Sequence, residues 1–362
     1  MMEAPQPLLV TKHKFVTLDA LRGIAAIAVM LYHSNSLSAH LFRHGYLAVD
    51  FFFVLSGFVL SYAYGQRLAE GWPLLRFMRE RYVRLMPLAT LGLLLGFLVS
   101  LDGIFAVHAP LPLHSAIWIL PLNLLFLPVY PFNPSYLLFP YDPPAWSLFY
   151  ELFSNLVHAL FLRRVRTGTL LALNAVSGGL LVWRIVQTHN ADIGLSLLNA
   201  DGFMRVLFSY SLGMLLFRLW HTGKLRWSLS PAIACLALLV VIAYSPPARF
   251  STAYNILCIV LLLPGVVVLG ISAHNNARYV HGLQMLGAAS YAVYVLQSPL
   301  LGILTRISMR LTHKNLADHR PWSAILVLTV VVGAALLSEA YFDVPLRKRL
   351  RKRKAEVVVA TA

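Results

Sequence analysis

The chain has 362 residues, 59% of them hydrophobic and only 12% charged, with a mean hydropathy of +0.70 and a formal net charge of +16. A soluble domain carries about 25% charged residues, so the composition excludes a soluble globular protein and points to a chain that crosses a membrane many times. The two cysteines, Cys235 and Cys258, lie in apolar runs and support neither a disulfide framework nor a metal site.

Met1 to Lys14 is a short polar lead that carries Lys12 and Lys14. The first apolar span, near Leu18–Leu37, is too long for a cleavable signal and no small-residue cleavage site follows it. Further spans are expected near Tyr46–Tyr64, Leu85–Leu101, Trp146–Leu162, Leu170–Gln187, Phe203–Trp220, Leu229–Tyr244, Tyr254–Ser272, Leu286–Thr305 and Trp322–Tyr341. Each approaches the ~20 residues that a helix needs to cross a bilayer. His114 to Leu127 is apolar but short, and Pro121 and Pro128 interrupt it, so it reads as a re-entrant or surface helix. The expected fold class is therefore all-α: a polytopic membrane helix bundle of about ten transmembrane helices. One membrane domain is expected over residues 1–346, followed by a basic tail over residues 347–362.

An even number of spans puts both termini on one side, and Lys and Arg choose the side. Most of them fall inside if the termini are cytoplasmic, and the long outer loop from Asp102 to Ala145 has neither. The outer loop Arg306 to Arg320 fits this scheme poorly. The terminal run from Arg347 to Lys354 reads as a stop signal that touches anionic lipid, with no nucleic acid as partner.

Phe15 to His33 carries Asp19 and Arg22 at one end and His33 near the other. On a helix, Arg22 and His33 return to one face within roughly 20°, about 16 Å apart along the axis, with Asp19 on the same face. Ionisable groups are costly in hydrocarbon, so this stripe calls for a function. By depth, His33 lies about 6 Å, Asp50 about 8 Å and Glu151 about 9 Å below the outer surface. Three ionisable side chains from three helices are thus expected in one layer, with His33 as a general base and a carboxylate as its partner. The competing readings are helix pairing, a transporter in which Asp19, Arg22 and His33 form a proton or solute path, and a zinc site. No metal-binding spacing accompanies the last.

The loop before the third span holds Arg76, Arg79, Arg81 and Arg84, suited to phosphate or simply to positive-inside bias. Ser56 and Gly57 read as a small pair for close helix packing. Tyr291, Tyr294 and Gln297 form a polar stripe that lines a cavity or bonds neighbouring helices.

Several of these stretches bear a resemblance. Leu18 to Gly23 followed by Arg-x10-His, Gly45 to Phe58, Arg81 to Pro87, Trp146 to Glu151 (W-S-L-F-Y-E) and Ser290 to Leu296 occur in the order seen in the integral-membrane acyltransferase family 3. The chain resembles the stand-alone form of that family, without an extra outer hydrolase-like domain. The resemblance implies transfer of an acyl group, acetyl above all, from cytoplasmic acyl-coenzyme A to a sugar hydroxyl. The acceptor would be an extracytoplasmic glycan or lipid-linked saccharide, and the location a bacterial inner membrane. It implies no bound cofactor, with acyl-coenzyme A as co-substrate. His33 would be essential, and Arg81 and Arg84 would serve the donor. Trp146 and Ser147 are expected to line the cavity together with Ser56, Tyr291, Tyr294 and Gln297. Gln297 stands where many members have His.

Overall fold

The computed structural model describes residues 14–34, 41–104, 113–129, 137–195, 200–225, 229–273 and 277–350. The lead before Lys14, the expected end of the first span at Leu37, two stretches of the Asp102–Ala145 loop and the tail beyond Leu350 lie outside these residues. In chain order the helices are α1 (Val16–His33), α2 (Ala48–Ala69), α3 (Leu74–Ile104), α4 (Leu113–Leu124), α5 (Trp146–Leu160) and α6 (Thr167–Thr188). Then come α7 (Asp201–His221), α8 (Pro231–Ala243), α9 (Ser251–Leu257), α10 (Leu263–Ile271), α11 (Ala277–Thr312) and α12 (Trp322–Ser338). A π-helical turn, Cys258–Leu262, makes α9 and α10 one continuous rod.

A backbone in lipid must satisfy its own polar groups, which is why these apolar runs become helices. Among the described residues, eight segments are long and apolar enough to span. A helix stands at each of the ten expected places, but two are short: α5 has 15 residues and α8 has 13. At 1.5 Å per residue they reach only about 20 Å, against about 30 Å of hydrocarbon. The ten-span expectation becomes eight full-length candidate spans and two short helices. Ser230 caps the start of α8 and Pro231 occupies its first turn, while Pro246 and Pro247 follow its end. The segment before α5 runs inside the protein, with Phe139, Asp142 and Ala145 all sealed from solvent.

Two helix pairs set the packing. A Cβ on Gly23 of α1 would fall 2.5 Å from the Leu286 carbonyl oxygen, and one on Gly287 of α11 would fall 2.7 Å from that of Asp19. In the second pair, a Cβ on Gly57 would lie 2.1 Å from the Tyr210 oxygen and one on Gly213 2.0 Å from the Val54 oxygen. Small residues thus let α1 meet α11 and α2 meet α7 at backbone distance. Between the pairs, α3 and α5 close the interior. α6 and α12 are peripheral, and their exposed Leu171, Trp183, Ile325 and Leu337 are suited to lipid contact. The α4 helix packs on this wall through Tyr141, whose hydroxyl donates to the Ala116 oxygen (2.6 Å). Beyond α12 the chain stays helical to Leu350, so Arg347 stands on a helix and pairs with Asp343 one turn back.

Candidate active site

Three side chains expected in one layer occupy separate environments. Asp50 on α2 is fully buried, and its carboxylate accepts from Arg205 Nε (3.0 Å) and Nη2 (2.8 Å) and from Ser209 (3.2 Å). Arg205 uses its remaining reach on the Ile193 oxygen (2.7 Å) and the Tyr46 oxygen (2.8 Å), and its guanidinium lies 5.5 Å from the Trp146 ring centre. Trp146 is thus buried under this pair. Glu151 on α5 accepts from Arg81 Nη2 at 2.6 Å. Arg81 lies seven residues into α3, about 10 Å from its start, at the same end as Arg22. The depth expected for Glu151 is therefore corrected. Because residues 137–145 run back into the bundle, α5 begins deep, and Glu151 sits at the Arg22 end instead of in the layer of His33. Neither Glu151 nor Asp50 has a hydrogen bond to His33 among the described residues.

Asp142, in the segment before α5, is also sealed, and neither carboxylate oxygen has a hydrogen-bond partner among the described residues. Burial pushes its carboxyl well above the ordinary range.

Two cavities meet at Arg22, Arg84, Glu151 and Tyr291. The larger, about 420 Å³, is a mouth lined by Lys14, Asp19, Glu339, Asp343 and Arg347 among others. The smaller, about 120 Å³, continues between α2, α3, α5 and α11 to Ser56, Ser147 and Tyr294. Asp19 and Arg22 form a loose pair, 3.7 Å apart, on the wall of the mouth. Arg84 reaches both cavities and has no hydrogen bond or ion pair among the described residues. Arg76 and Arg79, in contrast, are exposed on the outer side of α3, with Arg76 6.0 Å from the Trp72 ring centre. The helix explains the split, since Phe77, Arg81, Leu85 and Leu88 fall on the buried face and Arg76 and Arg79 do not.

At the far end of the inner cavity Tyr294 shares a hydrogen bond with Ser147 (2.8 Å). One turn on, Gln297 donates through Nε2 to the Tyr294 backbone oxygen (2.9 Å). That bond fixes the amide, so Gln297 Oε1 faces His33 Nδ1 at 3.4 Å. His33 is exposed at the end of α1, while Gln297 is buried. The partner of His33 is thus a neutral amide instead of the expected carboxylate. The sequence reading also missed Arg205, Lys14, Glu339, Asp343, Tyr32 and Asp192. Of these, Tyr32 donates to Asp192 Oδ2 at 2.8 Å beside His33.

Comparison with known proteins identifies the family. The family described as "Acyltransferase domain", Acyltransferase 3, matches residues 15–339. The chain is 38% identical to "Protein 2 in picA locus" of Rhizobium radiobacter over 180 residues, covering 45% of this chain and 92% of that protein. It is 25% identical to "Acyltransferase MdmB" of Streptomyces mycarofaciens over 385 residues, covering 96% and 94% of the two chains. With "O-acetyltransferase OatA" of Staphylococcus aureus it shares 22% identity across 92% of this chain and 57% of that protein. No solved structure matches. On the match across residues 15–339, this multi-pass membrane chain belongs to the Acyltransferase 3 family of acyltransferases.

Proposed function

We propose that the protein moves an acyl group, acetyl foremost, from acyl-coenzyme A at the cytoplasmic face to a hydroxyl of a glycan or saccharide precursor on the outer face of a bacterial inner membrane. Both termini are placed in the cytoplasm on this reading, by the Lys and Arg distribution. The observation that carries it is the joined pair of cavities, which leads from a mouth with Lys14, Arg22, Arg84 and Arg347 to Tyr294 and so towards His33.

The phosphates of coenzyme A are too costly to bring into hydrocarbon. They stay at the mouth, held by Arg84 and Arg22, with Arg81 steadied by Glu151. The thin acyl-pantetheine arm enters the inner cavity past Tyr291. The roughly 16 Å between Arg22 and His33 along α1 is a span for that arm.

Gln297 Oε1 accepts from His33 Nδ1–H, which leaves the Nε2 lone pair as the base. A separation of 3.4 Å is long for that bond, as resting catalytic contacts often are before substrate binds. His33 takes the proton as the acceptor oxygen bonds to the thioester carbon. The carbon–sulfur bond then breaks, and the coenzyme A thiolate recovers the proton from His33. The products are an ester and free coenzyme A, with no net proton released.

His33→Ala tests the reading. Acyl transfer from acetyl-coenzyme A should be lost while the protein inserts at normal abundance, as read by coenzyme A release and by immunoblot of membranes. Near-normal transfer in that variant overturns the assignment.

A further inference from the structure

We propose that Tyr32 and Asp192 form the acceptor subsite beside His33 and bind neighbouring hydroxyls of a carbohydrate. This rests on the acyl-transfer reading of His33 above and names the groups that hold the other substrate.

Asp192 lies in the connection between α6 and α7, at the same end of the bundle as His33. The Tyr32 hydroxyl donates to its Oδ2 at 2.8 Å, and the Tyr32 and His33 ring centres are 5.4 Å apart. Asp192 is close enough to act on His33 electrostatically. Tyr32 and Asp192 are both partly open, and His33 is exposed. An ionised carboxylate has about four acceptor positions, and Tyr32 takes one. Asp192 Oδ1 has no hydrogen bond among the described residues.

A sugar offers adjacent hydroxyl donors and an apolar ring face. A half-open carboxylate with a tyrosine at its side meets both. The aromatic wall continues to Tyr46, 5.4 Å from Tyr32, whose own hydroxyl donates to Asn255 at 2.9 Å. One carboxylate supplies too few ligands for a metal ion.

The position of Asp192 is built by the groups around it. Its backbone N–H donates to Asn190 Oδ1 at 2.8 Å, and the next residue, Ile193, gives its oxygen to Arg205 Nη1 at 2.7 Å. Arg205 is fixed in turn by Asp50. Gly194 takes φ +114°, and a Cβ there would lie 2.6 Å from the Trp146 ring. Asp50 and Arg205 are therefore positioning residues for this loop.

The test uses the purified full-length chain, acetyl-coenzyme A, and the methyl glycosides of glucose, galactose, mannose and N-acetylglucosamine as acceptor probes. Coenzyme A release and the mass of the acetylated glycoside are followed. At least one glycoside should be acetylated with saturation. Asp192→Asn and Tyr32→Phe should each raise its half-saturating concentration about tenfold, the effect of one hydrogen bond to a charged group. The KM for acetyl-coenzyme A should stay within about twofold. An unchanged half-saturating concentration in both variants overturns the subsite. So does a fall in kcat alone, which marks a merely structural role. Turnover of acetyl-coenzyme A by wild type with no glycoside acetylated overturns the carbohydrate assignment and leaves the donor reading standing. No turnover of acetyl-coenzyme A by wild type removes the donor reading and the subsite with it.

Discussion

Among the arginine–carboxylate pairs of the described residues, two inside the bundle differ in how far they are closed. Arg205 and Asp50 expose 0% and 1% of their side chains, and Arg205 has protein acceptors on all three nitrogens. Arg81 and Glu151 expose 5% and 22%, and Arg81 Nε has no partner among the described residues. The first pair is sealed from any ligand and ties α2, α7 and the loop at Ile193 into one unit. The second is built from the same two functional groups, yet it borders the space where both cavities join. A charged pair in a membrane protein is therefore not a site by virtue of charge alone. What separates structure from chemistry here is the donor left over and the open side on which it faces.

The largest effect tests the closed pair. Arg205→Ala leaves Asp50 charged and sealed, a situation that costs about 3–5 kcal/mol. Most of the folded, membrane-inserted protein should be lost, as read by immunoblot and by thermal melting in detergent. Replacing Arg205 and Asp50 together with apolar residues should recover more protein than Arg205→Ala alone, because no unpaired charge remains. If Arg205→Ala accumulates normally, the pair is not structural and the contrast collapses.

Glu151→Gln tests the open pair. It keeps the shape and removes the charge that steadies Arg81. Protein abundance should stay near wild type while acyl transfer falls by more than about tenfold, equivalent to ~1.4 kcal/mol of transition-state stabilisation. Loss of protein in step with activity would instead put Glu151 in the same class as Asp50.

Legibility in the sequence followed the same division. The Arg22–His33 stripe was readable because helix geometry fixes both residues on one face. Helix spacing likewise united Tyr291, Tyr294 and Gln297: the first two line the inner cavity, while Gln297 lines neither cavity and bonds to the Tyr294 oxygen beside His33. The partner of Asp50 was hidden, since Arg205 is 155 positions away and nothing local marks it. Glu151 was misplaced for a different reason: a depth counted from a loop end fails when that loop folds back into the bundle, as residues 137–145 do. Asp192 lies in a connection with no periodicity, so no pattern could single it out. Arg76 and Arg79 were grouped with Arg81 and Arg84 by clustering, where the period of Phe77, Leu85 and Leu88 already separated them.

Arg84 extends the comparison to a third state, an arginine with no carboxylate of its own. It is half-buried, reaches both cavities, and feels Arg81 and Arg22 repel it while Glu151, already bonded to Arg81, attracts it without a direct contact. Such a group is stabilised by an anion that arrives from outside, and a diphosphate supplies one. Arg84→Ala should then raise the KM for acetyl-coenzyme A several-fold with little change in kcat, because a phosphate contact is made equally in ground and transition states. Arg84→Lys should recover part of the loss, keeping the charge but not the planar fork. Arg76 is the control on the same helix. It is exposed and rests against Trp72, an arrangement worth about 0.5–1 kcal/mol at a surface. Arg76→Ala should leave the donor KM unchanged within error. Steady-state titration of acetyl-coenzyme A against the three variants decides the matter. Equal effects at Arg84 and Arg76 would mean that the donor responds to the net charge of the face, and raised salt should then abolish both effects together.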